Sequence, residues 1–252
     1  KLKLKNIESC LSSAIREFPD PKIRLEQYPT SAELTASIVS FAANDANDLG
    51  PGRTALDLGC GTGMLALGCA VVECDAVLAV DCDPDALVVA QRNAEALELD
   101  TTIDFILAKV SDTGVIVVVQ PAAGGNGGGR GRGKSKSNRG RGGRGGRGSQ
   151  PTVSLDPNAP DGLPLRDNCV DTVVTNPPFG TKHNAGMDVR FLKAATRLAR
   201  RAVYSFHKTS TRDYLMKKIT NEWGYEARVV AELKFDLPQT YKFQKQKSVD
   251  IA

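Results

Sequence analysis

Long apolar runs are missing from this chain of 252 residues: no uninterrupted apolar stretch exceeds five residues, and residues 115–119 are one of the longest. A helix needs roughly 20 apolar residues to cross a bilayer, so no membrane is expected as a partner. Histidine is nearly absent, with only His183 and His207. The six cysteines (Cys10, Cys60, Cys69, Cys74, Cys82, Cys169) form no C-x-x-C pair and none lies beside a histidine. Zinc spacings are therefore missing, and no metal site is expected. A chain this long buries enough apolar surface to fold without disulfides, and free thiols suit a cytosolic or nuclear protein. No basic-then-apolar leader follows Lys1, which agrees with that compartment.

Acid is missing from one stretch altogether. Residues 124–149 hold Arg130, Arg132, Lys134, Lys136, Arg139, Arg141, Arg144 and Arg147, no Asp or Glu, and 13 of the 24 glycines. Those eight cations exceed the net charge of +4, so the rest of the chain carries a net −4. A composition so poor in apolar residues cannot offset the entropy of ordering. Residues 112–164 are therefore read as a Gly/Arg-rich insertion, largely disordered, within a single domain spanning residues 1–252.

Outside the insertion, apolar periodicity alternates between strand and helix. Ile7, Leu11, Ile15 and Phe18 predict an amphipathic helix over residues 7–18, and a second helix runs from Ser31 or Ala32 to about Ala43, capped by Thr30 or Ser31. Strands are expected at residues 54–58, 76–80, 105–110, 170–175 and 202–206. Helices are expected at 64–72, 84–97, 188–200 and 211–223. Residues 227–235 and 247–251 read as a closing hairpin, whose second arm stops at Ala252. Alternation of this kind predicts an α/β fold, a parallel sheet with helices on both faces and ligands at the carboxyl ends of its strands.

Two such strand ends carry chemistry. Asp57-x-Gly59-x-Gly61-x-Gly63 closes one strand and opens a helix, and Asp81 closes the next strand 22 positions after Gly59. Glycines let a ligand approach the backbone closely, and a carboxylate at the second strand end suits ribose hydroxyls. The run differs from the G-x-G-x-x-G of dinucleotide sites and lacks the lysine of phosphate loops, although another nucleotide-binding sheet could use a similar turn. The second strand end is Asn176-Pro177-Pro178-Phe179. Two prolines stiffen the turn. The Asn176 oxygen and the Pro177 carbonyl could both accept from a planar NH₂ and aim its lone pair at an electrophilic methyl, while Phe179 offers a surface for a base drawn out of its stack. No strong base is needed, because an arylamine becomes acidic once alkylated.

Asn-Pro-Pro-Phe in this place resembles the class I aminomethyltransferases that act on adenine N6, cytosine N4 or glutamine. Further blocks resemble the methyltransferase-like protein 5 family, which modifies an adenosine of small-subunit ribosomal RNA. These blocks are Leu25-Glu26-Gln27-Tyr28-Pro29-Thr30, Asn176 through Lys182, Tyr204-Ser205-Phe206-His207-Lys208, Asp236-Leu237-Pro238 through Tyr241-Lys242-Phe243, and Lys247 through Ile251. The resemblance covers nearly the whole chain except the insertion. It implies a Rossmann-like fold with a mostly parallel seven-stranded sheet, the last strand antiparallel and truncated here. It also implies S-adenosyl-L-methionine as cofactor, held by Gln27, Tyr28, Thr30, Asp57, Gly59, Gly61, Thr62, Gly63, Met64, Asp81, Val110 and Asn176. Asn176, Pro177, Pro178 and Phe179 would form the catalytic wall. Where the family has an acid after the third strand to meet the cofactor's adenine amine, this chain has Lys109.

The resemblance further implies ribosomal RNA as substrate and a location in the nucleus, nucleolus and cytoplasm. A small zinc-binding methyltransferase activator subunit would form a heterodimer along the third-strand edge. Lys182, His207, Lys208, Lys242 and Lys245 are candidate RNA contacts, as are Arg139, Arg141, Arg144 and Arg147 of the Arg-Gly ribbon, through charge and guanidinium stacking. Two alternatives stand beside this reading: methyl transfer to a protein glutamine or a DNA adenine, and a non-catalytic RNA-binding protein with a vestigial pocket.

Overall fold

Strand β1 (Thr54–Leu58) shows why the sequence makes a two-sided sheet. Its side chains alternate between faces. Ala55 joins the buried cluster formed with the N-terminal helices, while Leu56 and Leu58 join the cluster on the opposite face. Strand β2 (Ala76–Asp81) does the same, with Val77 and Ala79 on one side and Leu78 and Val80 on the other. The structure, a computed structural model, describes residues 2–110, 162–180, 184–236 and 248–251.

The remaining sheet strands are β3 (Ile103–Leu107), β4 (Val170–Thr175) and β5 (Ala199–Ser205). All five are parallel, in the order β3-β2-β1-β4-β5, so their carboxyl ends share one edge. Helices α1 (Leu4–Leu11), α2 (Ala32–Asn44) and α3 (Met64–Val71) contribute to one core cluster. Helix α5 (Met187–Leu198) packs Ala194, Ala195 and Leu198 into the other. Helix α4 (Pro84–Ala96) is capped by Asp83, whose side chain accepts from the Asp85 N–H. The Ser31 hydroxyl caps α2 by accepting from the Leu34 N–H at 3.1 Å.

Several expectations shift. The first helix ends at Leu11 rather than Phe18, because the Ser12 hydroxyl and N–H both turn back to the Ser9 carbonyl. Asn93 of α4 then holds the Ile15 backbone from both sides, accepting from its N–H and donating to its carbonyl at 2.8 Å each. The third strand occupies Ile103–Leu107, and β5 begins at Ala199, directly after α5. Leu163, assigned to the insertion by sequence, is fully buried beside Leu165, Leu56 and Val173. The seven strands do not form one sheet: β6 (Leu233–Asp236) and β7 (Ser248–Ile251) pair antiparallel with each other as a separate two-stranded sheet. Its first arm begins six residues later than expected. The insertion's residues 112–161, with the apolar run at 115–119, lie outside the described residues.

Candidate active site

Three strand ends build the site. After β1 the chain turns sharply, with the Gly59 and Cys60 N–H groups both donating to the Val80 carbonyl at 2.8 and 2.9 Å. Gly59, Gly61 and Gly63 hold φ of +77°, +54° and +88°, which side chains disfavour. Space is also short. A Cβ on Gly59 would fall 2.7 Å from Phe191, and one on Gly61 would fall 2.9 Å from Phe18. Asp81 closes β2 and fixes the turn: one carboxylate oxygen accepts from the Gly61 N–H and the other from the Asp83 N–H, each at 2.8 Å. The Cys82 N–H also bonds this carboxylate, which still keeps acceptor capacity for a ligand.

The third element is the turn after β4. Thr175 donates its hydroxyl to the Leu58 carbonyl at 2.6 Å, which sets Asn176 beside the glycine turn. The Asn176 amide nitrogen donates to the Thr30 hydroxyl at 3.1 Å. Thr30 ends a segment that crosses the site from Ile15 and is held at several points. Thr62 donates to the Arg16 carbonyl at 3.2 Å, and Asn184 donates to the Arg24 carbonyl at 2.8 Å and to the Glu26 carboxylate at 3.0 Å. Lys22 pairs with Asp83 and Asp85. Between this segment and the strand ends lies a cavity of about 520 Å³, within the range of small-molecule sites.

Most of the sequence-assigned residues line this cavity. Gln27, Tyr28, Thr30, Asp57, Gly59, Gly61, Thr62, Met64, Asp81, Val110, Asn176 and Pro178 all do so. Gly63, Pro177 and Phe179 do not. Gly63 faces Ala90 of α4, and Phe179 packs half-buried against the core, with Lys208 Nζ 5.9 Å from its ring centroid. Gln27 already has partners within the fold: its oxygen accepts from the Lys22 N–H at 2.7 Å and its NH₂ donates to Asp83. His207 departs from the role of an open RNA contact. It is buried, with Nε2 2.8 Å from the Ser205 hydroxyl, while Nδ1 lies 3.8 Å from Asp188 with no hydrogen-bond partner. Lys182, Lys242, Lys245, Arg139, Arg141, Arg144 and Arg147 lie outside the described residues.

Sequence reasoning missed four contributors. Phe18 and Phe191 line the cavity and abut the glycines, and Lys22 and Asp83 pin the crossing segment. The run of ordinary residues after α1 gave no signal for Phe18 or Lys22. The Asp83 cap and the helical phase of Phe191 were readable, but their partners stand tens of residues away.

Burial sets the electrostatics. Asp57 is 1% exposed; one oxygen accepts from the Ala66 N–H at 2.9 Å, and the other is buried with no hydrogen-bond partner. Desolvation pushes its carboxyl up to about 8, with the Asp81 charge adding to the rise against the Ala66 bond. Burial raises Asp81 as well, opposed by the N–H groups of Asp83 and Gly61. Burial works against ionised Asp83 too, but the hydrogen bonds from Lys22 and Gln27 outweigh it and hold that carboxyl below the usual range. Burial lifts the Cys60 thiol well above its ordinary value and Cys82 to about 12, so neither supplies a thiolate nucleophile. Among the described residues no group of His, Cys, Asp and Glu is arranged to hold a metal ion, and no helix is long and apolar enough to cross a membrane.

A parallel sheet with a glycine turn after β1, an acid after β2 and Asn-Pro-Pro after β4 defines a Rossmann-like methyltransferase. The fold matches the crystal structure of a candidate RNA methyltransferase from Pyrococcus horikoshii with a TM-score of 0.64 at 21% identity, covering 98% of this chain and 95% of that one. Residues 39–119 match the family model described as Ribosomal protein L11 methyltransferase (PrmA). The rRNA N(6)-adenosine-methyltransferase METTL5 of Danio rerio is 37% identical over 250 residues, covering 99% of this chain and 95% of that protein. Its namesake in Drosophila melanogaster is 37% identical over 251 residues, covering 100% and 93%, and metl-5 of Caenorhabditis elegans is 34% identical over 244 residues, covering 93% and 88%. The chain belongs to the METTL5 family of rRNA N(6)-adenosine-methyltransferases.

Proposed function

We propose that this chain transfers the methyl group of S-adenosyl-L-methionine to the exocyclic N6 amine of an adenosine in small-subunit ribosomal RNA. One observation carries the reading: the glycine turn, Asp81 and Asn176 line the same cavity at the carboxyl edge of one sheet. When bound, the cofactor supplies an electrophilic methyl carbon on a cationic sulfur. The residues fit such a group. Gly59 and Gly61 leave backbone where a Cβ would collide, and the Asp81 carboxylate keeps acceptor capacity for ribose hydroxyls, while Asp57, raised to about 8 by burial, supports the turn as a largely protonated group.

The acceptor side is built from rigid parts. With its NH₂ engaged by Thr30, Asn176 leaves its carbonyl oxygen to accept from the amine, and the carbonyl of the buried Pro177 would supply a second acceptor from behind the cavity wall. Two such bonds fix the plane of the amine and direct its lone pair along the displacement axis. The alkylated nitrogen then loses its proton to water, and no side chain has to act as a strong base. Phe179 lies outside the cavity with Lys208 over its ring, so a role in stacking the extruded base would lie beyond the cavity wall, where Lys208 would meet a phosphate of the same strand. The cations of residues 130–147 would add salt-sensitive, sequence-independent affinity for RNA.

The names of the relatives support ribosomal RNA as substrate over a glutamine side chain or DNA. A heterodimer is part of the proposal. Among the described residues β3 is an edge strand with Phe105, Ile106 and Leu107 only half-buried, and a small zinc-binding activator adding strands there would cover them. A ribosomal substrate would place the protein in the nucleolus and cytoplasm.

The test is incubation with methyl-labelled cofactor and separated small-subunit RNA, DNA and protein fractions, with and without the activator. Label is expected in RNA, recovered as N6-methyladenosine. Label confined to DNA or to protein would contradict the proposal.

A further inference from the structure

The sheet order fixes where each part of the cofactor in the proposed reading must lie. Asn176 marks the reacting end at β4, the glycine turn follows at β1, and Asp81 takes the ribose at β2. The next strand outward is β3, so the base falls against residues 108–110. The Ala108 N–H donates to the Asp81 carbonyl at 2.9 Å, which sets this stretch level with the ribose site. Ala108 and Val110 are buried, and both line the cavity. Lys109, between them, also lines the cavity but is exposed, and its charge reaches Cys82 on the neighbouring strand end. None of the ion pairs among the described residues includes it.

A lysine carries three donors and no acceptor. Adenine shows its base pocket a donor amine at C6 and acceptor ring nitrogens; hypoxanthine replaces the amine with an acceptor oxygen and carries a proton on N1, so N3 and N7 are the ring acceptors that the two bases share. An acceptor side chain at this place would reward the amine and reject the 6-oxo base. A cation there can bond to an acceptor on either base, so the amine gains no specific partner from it. We infer that Lys109 makes base recognition depend on acceptor atoms, so that this cavity does not select a 6-amino purine over a 6-oxo purine. This rests on the cofactor reading above and concerns binding rather than turnover.

The test compares dissociation constants of the full chain for S-adenosyl-L-homocysteine and its 6-oxo analogue, S-inosyl-L-homocysteine, by calorimetry. The wild-type ratio of the two is expected to stay below about tenfold, the loss that one charged hydrogen bond would produce. Lys109→Asp is expected to raise that ratio at least tenfold in favour of the adenosyl ligand. A wild-type ratio of tenfold or more overturns the inference, and the wild-type ratio needs no variant to fold. A Lys109→Asp ratio less than tenfold above wild type overturns it too. Failure of the wild type to bind either ligand overturns the cofactor reading itself, a distinguishable result.

Discussion

The side chain of Asn176 donates its amide N–H to the hydroxyl of Thr30 across 3.1 Å, joining positions 146 residues apart. One belongs to the stiff turn after β4 and the other to the segment that crosses the cavity. The bond restrains the rotation of the amide, so the free carbonyl oxygen faces one direction before substrate arrives. Preorganisation of this kind acts on the chemical step more than on affinity.

Removal of the Thr30 hydroxyl should therefore slow methyl transfer selectively. Thr30→Val keeps the shape and loses the acceptor. We expect kcat to fall about tenfold or more with KM for RNA nearly unchanged, and Thr30→Ser to restore most of the rate. Steady-state kinetics on the three proteins decide it. A rise in KM alone would assign Thr30 to substrate or cofactor binding.

Asp57 makes stability depend on pH in an unusual sense. Its carboxyl titrates at about 8 in the fold, against about 4 in an unfolded chain, chiefly through burial. Between those values the folded state holds a proton that the unfolded state has released. Stability should therefore fall as pH rises from about 4 to about 8, by on the order of 1 kcal/mol per pH unit from this group. Asp57→Asn keeps an acceptor for the Ala66 N–H and lacks the titration. Urea unfolding at pH 5 and pH 8 should show the variant gaining on the wild type at the higher pH. A difference between the two proteins that does not change with pH would contradict this.

Gly61 and Gly52 separate backbone strain from crowding. Gly61 has φ of +54° with Phe18 2.9 Å from the position of a Cβ; Gly52 has φ of +77° with nothing within 4 Å. Alanine at either should cost roughly 1–2 kcal/mol of stability. Only Gly61→Ala should also displace Phe18 from the cavity wall and weaken binding of S-adenosyl-L-homocysteine, by about tenfold or more. Melting temperatures and calorimetric titrations of both variants check the two effects, and equal binding losses would refute the assignment of Phe18 to the wall.

The sheet and its chemical edge were legible because they obey short-range rules. Alternation places Leu56 and Leu58 opposite Ala55 and Asp57, and glycines at Gly59, Gly61 and Gly63 mark a turn with positive φ. The crossing segment was not legible. Ile15 and Phe18 sit at helical spacing from Ile7 and Leu11, and Asn93, remote in sequence and polar on a helix, holds the Ile15 backbone away from that helix once Ser12 has ended it. His207 shows the same limit, since its burial beside Ser205 is something composition alone cannot distinguish from a surface contact. The pairing of β6 with β7 was legible as a hairpin, but its separation from the five-stranded sheet was not, because alternation does not say which sheet a strand joins.

The role proposed for Asn176 is in transfer rather than in cofactor affinity. The most direct test replaces Asn176 with Ala and measures, on the same preparation, affinity for S-adenosyl-L-homocysteine and methyl transfer to small-subunit RNA. We predict that transfer falls by about 100-fold or more, because the hydrogen bond that orients the reacting amine is gone and its partner bond to the Pro177 carbonyl is left without a fixed plane, while affinity stays within about threefold. Transfer at an undiminished rate, or a drop in affinity that accounts for the whole drop in rate, would contradict it.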